Sequence, residues 1–286
     1  MARILDGKAV AAEVRAQVAA QVAELKAKGV PVRLDVILIG EDPASVTYVS
    51  SKQRDCAEVG IDSRVHRFPD EVPQKELAAL VESLNGDAAV SGFFIQLPLP
   101  GGLDAIPLIS RIDPAKDVDG LSPESAGRLA LGLPSLLPCT PHGIVWLLRR
   151  NDVELAGKEA VVIGRSNLVG KPLSLLLVRE NATVTVCHSR TRNLPEVARR
   201  ADILVVAAGQ PEMVGAEHVK GGAVVVDVGI HRREGSLVGD VRFDEVEPRA
   251  SWISPVPGGV GPMTRAMLLY NAVQAARTTA QDAACA

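Results

Sequence analysis

The sequence predicts an α/β protein of two domains, each with helices packed on a parallel sheet. Three observations carry that prediction. Apolar runs of strand length alternate with helix-length segments along almost the whole chain. The alternation restarts after a helical stretch beginning near Pro141, with strand, glycine turn, helix and strand inside the roughly 30 residues of one βαβ unit. Finally, 286 residues with 47% apolar content suffice for two buried cores.

Taken in order, Asp6 is placed to cap a first helix whose Val10, Val14, Val18, Val22 and Leu25 form one stripe, and Gly29 with Pro31 ends it. "VRLDVILIG" (32–40) reads as a strand, and "EDPAS" turns the chain into a helix carrying Tyr48 and Lys52 that Gly60 closes. "SRVHRF" is a second strand, "PQKELAALVESLN" a third helix, and "AAVSGFFIQLPLPGG" a third strand running into a proline-rich turn. After the helix near Pro141, "EAVVIGRSNLVGKPLSLLLVRENATVTVCHSRT" supplies the βαβ unit, and "ADILVVAAG" and "GGAVVVDVGI" supply further buried strands. "SWISPVPGGVGPMT" (251–264) is a glycine and proline loop opening a last helix, about Met263 to Arg277, expected to pack back on the first domain. The tail "TTAQDAACA" is expected to fray. The first domain is thus read as 1–140 plus 264–286, the second as 141–263.

Composition removes several classes of function. Lysine and arginine total 31 against 34 acids, a formal net charge of -3, and aromatics make up 3%, so neither a basic field nor stacking platforms mark a nucleic-acid binder. No stretch reaches the ~18 uninterrupted apolar residues of a membrane span. Four cysteines without a CxxC pair fit a reducing compartment, and a cytoplasmic protein is expected. The histidines are scattered, leaving a lone Cys139-x-x-His142 as the nearest approach to metal-ligand spacing. "DPAKDVDGL" looks like the start of a calcium loop, but with Gly120 at the loop's sixth position, Ala115 and Ala126 fall where its carboxylates must be. No metal site is expected.

Tyr48 and Lys52 stand four residues apart, on one helical face. From spacing alone the pair reads first as a solvated helix face, since that spacing is common by chance. In open parallel sheets, however, ligands collect beyond the carboxyl ends of strands, and Gln96, Asp117 and Asp119 fall there with the start of the Tyr48 helix. In the second domain Gly164 and Gly170 bracket "GRSNLVG", which lacks G-x-G-x-x-G spacing but sits where a strand should turn into a helix whose N-terminus can face a phosphate. A purely structural turn is the competing reading. Downstream, where an NAD site offers an acid to the ribose, "CHSRTRN" has none; Ser189, Arg190 and Arg192, with Arg165, suit a 2′-phosphate unless they are surface charges. NADP is therefore expected over NAD. A short-chain dehydrogenase would place Tyr-x-x-x-Lys after its glycine turn, whereas here the pair precedes Gly164.

Together "YVSSK", "QLPLP", "PAKDVDG", "GRSNLVG", "CHSRT", "DVGI" and "PVPGGVGPMT" resemble, in order and over nearly the whole chain, the bifunctional methylenetetrahydrofolate dehydrogenase and methenyltetrahydrofolate cyclohydrolase family. The resemblance implies a folate-binding catalytic domain, a Rossmann-like NADP-binding domain and an active-site cleft between them. It implies oxidation of 5,10-methylenetetrahydrofolate to the methenyl compound and hydrolysis to 10-formyltetrahydrofolate at one site. Lys52 would be the catalytic lysine, Tyr48 would shape the folate site and stack in it, Gln96 would hydrogen-bond near Lys52, and Asp119 would grip the pterin. Gly164, Arg165, Ser166, Ser189 and Ile230 would line the NADP site, joined by Arg190, and Pro257, Gly258 and Gly259 would border the substrate cleft. A homodimer through the nucleotide domain is also implied. Two other functions stay open on this reading: a dehydrogenase without cyclohydrolase activity, and a non-catalytic NADP-binding regulator. The chain departs from the family pattern at Phe93 and Phe94, where aliphatics are expected, and at His231, where a smaller polar residue is frequent.

Overall fold

The structure, a computed structural model, describes residues 1–233 and 235–285, with side chains through Gln281. The strands are β1 (Arg3–Ile4), β2 (Arg33–Ile39), β3 (Asp62–Phe68), β4 (Gly92–Ile95), β5 (Glu159–Ile163), β6 (Thr183–Cys187), β7 (Ile203–Val206), β8 (Val224–Asp227), β9 (His231–Arg233), β10 (Ser236–Val238) and β11 (Trp252–Ile253). The helices are α1 (Gly7–Ala27), α2 (Pro43–Val59), α3 (Gln74–Gly86), α4 (Ala105–Ile109), α5 (Pro123–Ala130), α6 (Cys139–Arg150), α7 (Gly170–Arg179), α8 (Leu194–Ala198), α9 (Phe243–Val246) and α10 (Val260–Cys285). By contact the chain falls into two units, Met1–Ala12 with Thr140–Thr264, and Glu13–Cys139 with Arg265–Ala286.

The second of these units is built on a three-stranded parallel sheet in the order β3-β2-β4. Every residue of β2 is buried, including two charges. Asp35 accepts from Arg33 at 2.8 and 2.6 Å and meets His66 Nε2 at 2.8 Å, so the buried carboxylate is fully partnered. The loop after β4 adds a partial rung to the sheet: the Phe93 N–H donates to the Lys116 carbonyl at 3.0 Å, and a Cβ on Gly92 would lie 2.2 Å from Val118.

The first unit holds a six-stranded parallel sheet, β1-β11-β8-β7-β5-β6, with a separate β9–β10 hairpin. Its core is aliphatic, centred on Val161, Leu204, Val206 and Val225. Residues 1–12 group with this unit by contact. Arg3 and Ile4 pair with Trp252 and Ile253 at the sheet edge, a two-residue strand too short to be seen as periodicity. The last helix begins at Val260, three residues before the expected Met263, and the tail expected to fray is helical through Cys285, with Ala286 outside the described residues.

Candidate active site

Helix α2 positions the first group of residues. Asp42 Oδ2 accepts from the Ser45 N–H at 2.8 Å, Pro43 opens the first turn, and Gly60 ends the helix with φ +79°. Tyr48 and Lys52 share the face that also carries Val49 and Cys56 into the unit. Lys52 is only 6% exposed, and burial lowers its pKa, with the charge of Asp119 acting the other way. Its Nζ donates to Gln96 Oε1 at 3.2 Å and lies 4.6 Å from the Tyr48 ring centre and 3.8 Å from that of Phe94. Gln96 Nε2 donates to the Leu97 carbonyl at 2.6 Å, which turns the amide oxygen toward the lysine.

The "KDVDG" stretch divides its polar groups by task. Lys116 Nζ donates to the carbonyls of Leu84, Asn85 and Asp87 at 2.7–2.9 Å, closing the end of α3. Asp117, 1% exposed, accepts from the Ser122 N–H at 2.8 Å and the Ser125 hydroxyl at 2.7 Å, fixing the start of α5. Both side chains are thus consumed in holding this loop to α3 and α5. Asp119 remains half-buried, with Cys139 Sγ 3.8 Å from its Oδ1. Burial raises its pKa, while the Lys52 charge lowers it, so Asp119 belongs to the same electrostatic neighbourhood as Lys52, as does Tyr48, whose pKa burial raises. Tyr48, Lys52, Gln96 and Asp119 are therefore brought together from α2, β4 and the following loop.

Three residues to which the sequence reading gave no part in this group complete it. Asn271 on α10, 1% exposed, donates from Nδ2 to the carbonyls of Val118 and Leu137, both at 2.8 Å, and so holds the backbone just before Asp119. Its signal in the sequence is an asparagine inside the largely apolar run "AMLLYNAVQAA". Cys139 packs against Asp119, and Phe94, flagged only as a departure, lies under the lysine.

In the other unit β5 ends in the glycine turn as expected. Gly164 has φ +132°, and a Cβ there would stand 2.1 Å from the Ala207 carbonyl oxygen; a Cβ on Gly170 would stand 2.1 Å from the Gly164 oxygen. Ser166 Oγ accepts from the N–H of Val169, just before α7, and of Gly170, its first residue, at 3.1 and 3.4 Å. A cavity of about 240 Å³ opens here, lined by Gly164, Arg165, Ser166, His188, Ser189 and Ala207 among others. The "HSRT" turn is held by His188 N–H to Thr191 Oγ1 at 2.9 Å, which leaves Ser189 and Arg190 exposed, Ser189 on the cavity wall and Arg190 beside it. Ile230 is 59% exposed, and a Cβ on Gly261 would lie 3.5 Å from its Cδ1. Pro257, Gly258 and Gly259 lie in this unit, anchored to the start of α1, where the Lys8 N–H donates to the Gly258 carbonyl at 3.1 Å. His231, the other departure, joins a buried network: its Nε2 is 2.7 Å from Asp240 Oδ1, and Asp240 Oδ2 accepts from Ala208 and Gly209 N–H at 2.7 and 2.9 Å. Among the described residues no cluster of three or more potential metal ligands occurs.

The tetrahydrofolate dehydrogenase/cyclohydrolase catalytic domain matches residues 5–119, and the NAD(P)-binding domain of the same name matches residues 138–280. The chain belongs to the tetrahydrofolate dehydrogenase/cyclohydrolase family. Among its relatives, bifunctional protein FolD 1 of Rubrobacter xylanophilus is 76% identical over 278 residues, 97% of this chain and 98% of that protein. Bifunctional protein FolD of Brevibacillus brevis is 55% identical over 98% and 99% of the two chains. Of solved structures, the bifunctional FolD methylenetetrahydrofolate dehydrogenase/cyclohydrolase of Campylobacter jejuni superposes with a TM-score of 0.96 at 46% identity, covering 97% of this chain and 99% of that one. The Trypanosoma brucei methylenetetrahydrofolate dehydrogenase-cyclohydrolase, complexed with NADP cofactor and inhibitor, gives 0.93 at 38% identity over 98% and 99%.

Proposed function

We infer that this enzyme oxidises 5,10-methylenetetrahydrofolate to 5,10-methenyltetrahydrofolate with NADP and then hydrolyses the product to 10-formyltetrahydrofolate, with Lys52 carrying the proton in the second reaction. The observation that carries this reading is a buried amine whose direct hydrogen-bond partner is a neutral amide, on a helix and sheet of the catalytic domain.

NADP, when bound, accepts the hydride from the methylene carbon. The turn that would cradle it fits: the side-chain-free surface of Gly164 and the exposed Ser189 border a cavity, and Arg165 and Arg190 offer guanidinium groups to a 2′-phosphate. Hydride transfer needs the two carbons held at ~3–3.5 Å and no protein acid. Hydrolysis does need one. As water attacks the cationic methenyl carbon, the neutral Lys52 amine takes one of its protons; when the carbon–N5 bond breaks, Lys52 returns that proton to N5, and the hydroxyl proton leaves to solvent as the formyl carbonyl forms. Burial supplies the means, because a lysine is neutral near pH 7 only if its pKa is brought well below ~10.4. Gln96 orients the amine without the negative charge by which a carboxylate would keep it protonated. Asp119 is proposed to accept from the aminopyrimidine edge of the pterin, and Tyr48 to stack on it.

We also propose a cytoplasmic homodimer. Cys56, Cys139 and Cys187 are free thiols, no described helix is long and apolar enough to cross a membrane, and the edge strand β6 exposes Val186. The test of the function supplies methylenetetrahydrofolate with NADP or with NAD and follows methenyl absorbance. NADP should support formation of the methenyl compound and its onward loss, and failure to form it with either nucleotide would refute the reading.

A further inference from the structure

Phe94 stands on β4 opposite Val36 and is 1% exposed, so its ring cannot swing away from the lysine above it. We infer that Phe94 is a positioning residue that tunes the proton affinity of Lys52: its ring face, 3.8 Å from Nζ, favours the ammonium form and so sets the pH at which hydrolysis begins. The inference rests on Lys52 being the proton carrier proposed above.

The surroundings of the amine make the ring matter. On α2 itself the neighbours are the Tyr48 ring at 4.6 Å and Cys56 one turn on; Asp55, three residues after Lys52, is paired with Arg265 at 3.1 Å. From the end of β4 comes the uncharged Gln96 oxygen, and from the following loop and α6 come Asp119 and the Cys139 thiol, acting through space. Among these, desolvation pushes the proton off, and Asp119 with the two ring faces holds it on. An aliphatic side chain in place of Phe94 would keep the dry surroundings and remove the attraction of the ring face. Lys52 would then lose its proton at lower pH. The neighbouring Phe93 is a built-in control: it is also fully buried, but alternation turns it to the opposite face, into the core with Ile37, Leu77 and Leu108.

The experiment measures cyclohydrolase kcat/KM on supplied methenyltetrahydrofolate against pH, corrected for uncatalysed hydrolysis, in the full-length protein and in Phe94→Leu, Phe94→Met and Phe93→Leu. The expected result is an acid limb moved to lower pH by roughly 0.5–1.5 units in both Phe94 variants and unmoved in Phe93→Leu. Phe94→Met, which keeps more of the volume, carries the comparison if Phe94→Leu does not fold. A limb that stays in place or moves to higher pH overturns the inference. A limb that persists unchanged in Lys52→Met would instead overturn the proton-carrier assignment, so the two failures are told apart.

Discussion

Asp117 and Asp119 sit two residues apart in one motif, yet their surroundings assign them opposite parts. Asp117 spends Oδ2 on the backbone N–H of Ser122 and the hydroxyl of Ser125, and Oδ1 on the Leu121 N–H, so its replacement should act on folding. Asp117→Ala leaves those donors buried without an acceptor, at a cost of about 1–3 kcal/mol in urea unfolding, while kinetics per folded molecule change little. Asp119→Ala should do the reverse: near-normal stability, with both activities depressed through a higher KM for folate. If Asp119→Ala has ordinary kinetics, its role in gripping the pterin is withdrawn. Arg190 is exposed and follows Ser189, which lines the cavity after β5, and a guanidinium meeting a 2′-phosphate makes charge-assisted hydrogen bonds. Arg190→Ala should weaken NADP binding by roughly ten- to hundredfold in a titration and leave NAD binding nearly unchanged. Equal weakening of both would move the assignment to Arg165.

At the scale of elements, α10 contributes more to the site than its sequence announces. It carries Asn271, whose amide holds the Val118 and Leu137 carbonyls, and Arg265, whose Nε is 3.1 Å from Asp55 of α2. One helix thus fixes both the loop that bears Asp119 and the helix that bears Lys52. Asn271→Leu takes the amide donor from the Leu137 carbonyl and leaves the Val118 carbonyl with only the Cys139 thiol at 3.4 Å, so stability should fall by about 1–3 kcal/mol. Because Asp119 is displaced with its loop, KM for the folate should rise several-fold in both reactions, with the binding of NADP unaltered. A variant that unfolds earlier but keeps its KM would make Asn271 a purely structural anchor.

Across the whole molecule, the strongly periodic elements were legible in the sequence. The valine stripe of α1, the buried run of β2 and the glycine turn after β5 all lie where the pattern put them, because each is specified by its own residues. The pairing of Arg3–Ile4 with Trp252–Ile253 was not, since a two-residue strand has no period and its partner is remote in sequence. The same reason hid Asn271: its contacts lie 153 and 134 residues away. The spacing of Tyr48 and Lys52 showed that they share a face, but not that the face is buried or that Phe94 lies beneath it. Phe94 and His231 stood out only as departures, and their meaning came from their partners, Lys52 and Asp240.

The central claim is that one folate site runs two reactions and that only hydrolysis draws on the Lys52 proton. Lys52→Met keeps the chain length and the packing against Phe94 and Tyr48 while removing the amine. The direct measurement is a parallel assay of this variant for hydride transfer to NADP and for hydrolysis of supplied methenyltetrahydrofolate. Hydrolysis should fall by at least the ~10²–10⁴ typical of a general acid–base group, while hydride transfer continues at a reduced rate and the methenyl compound accumulates. Ordinary hydrolysis in the variant, or an equal loss of both activities, would contradict the account.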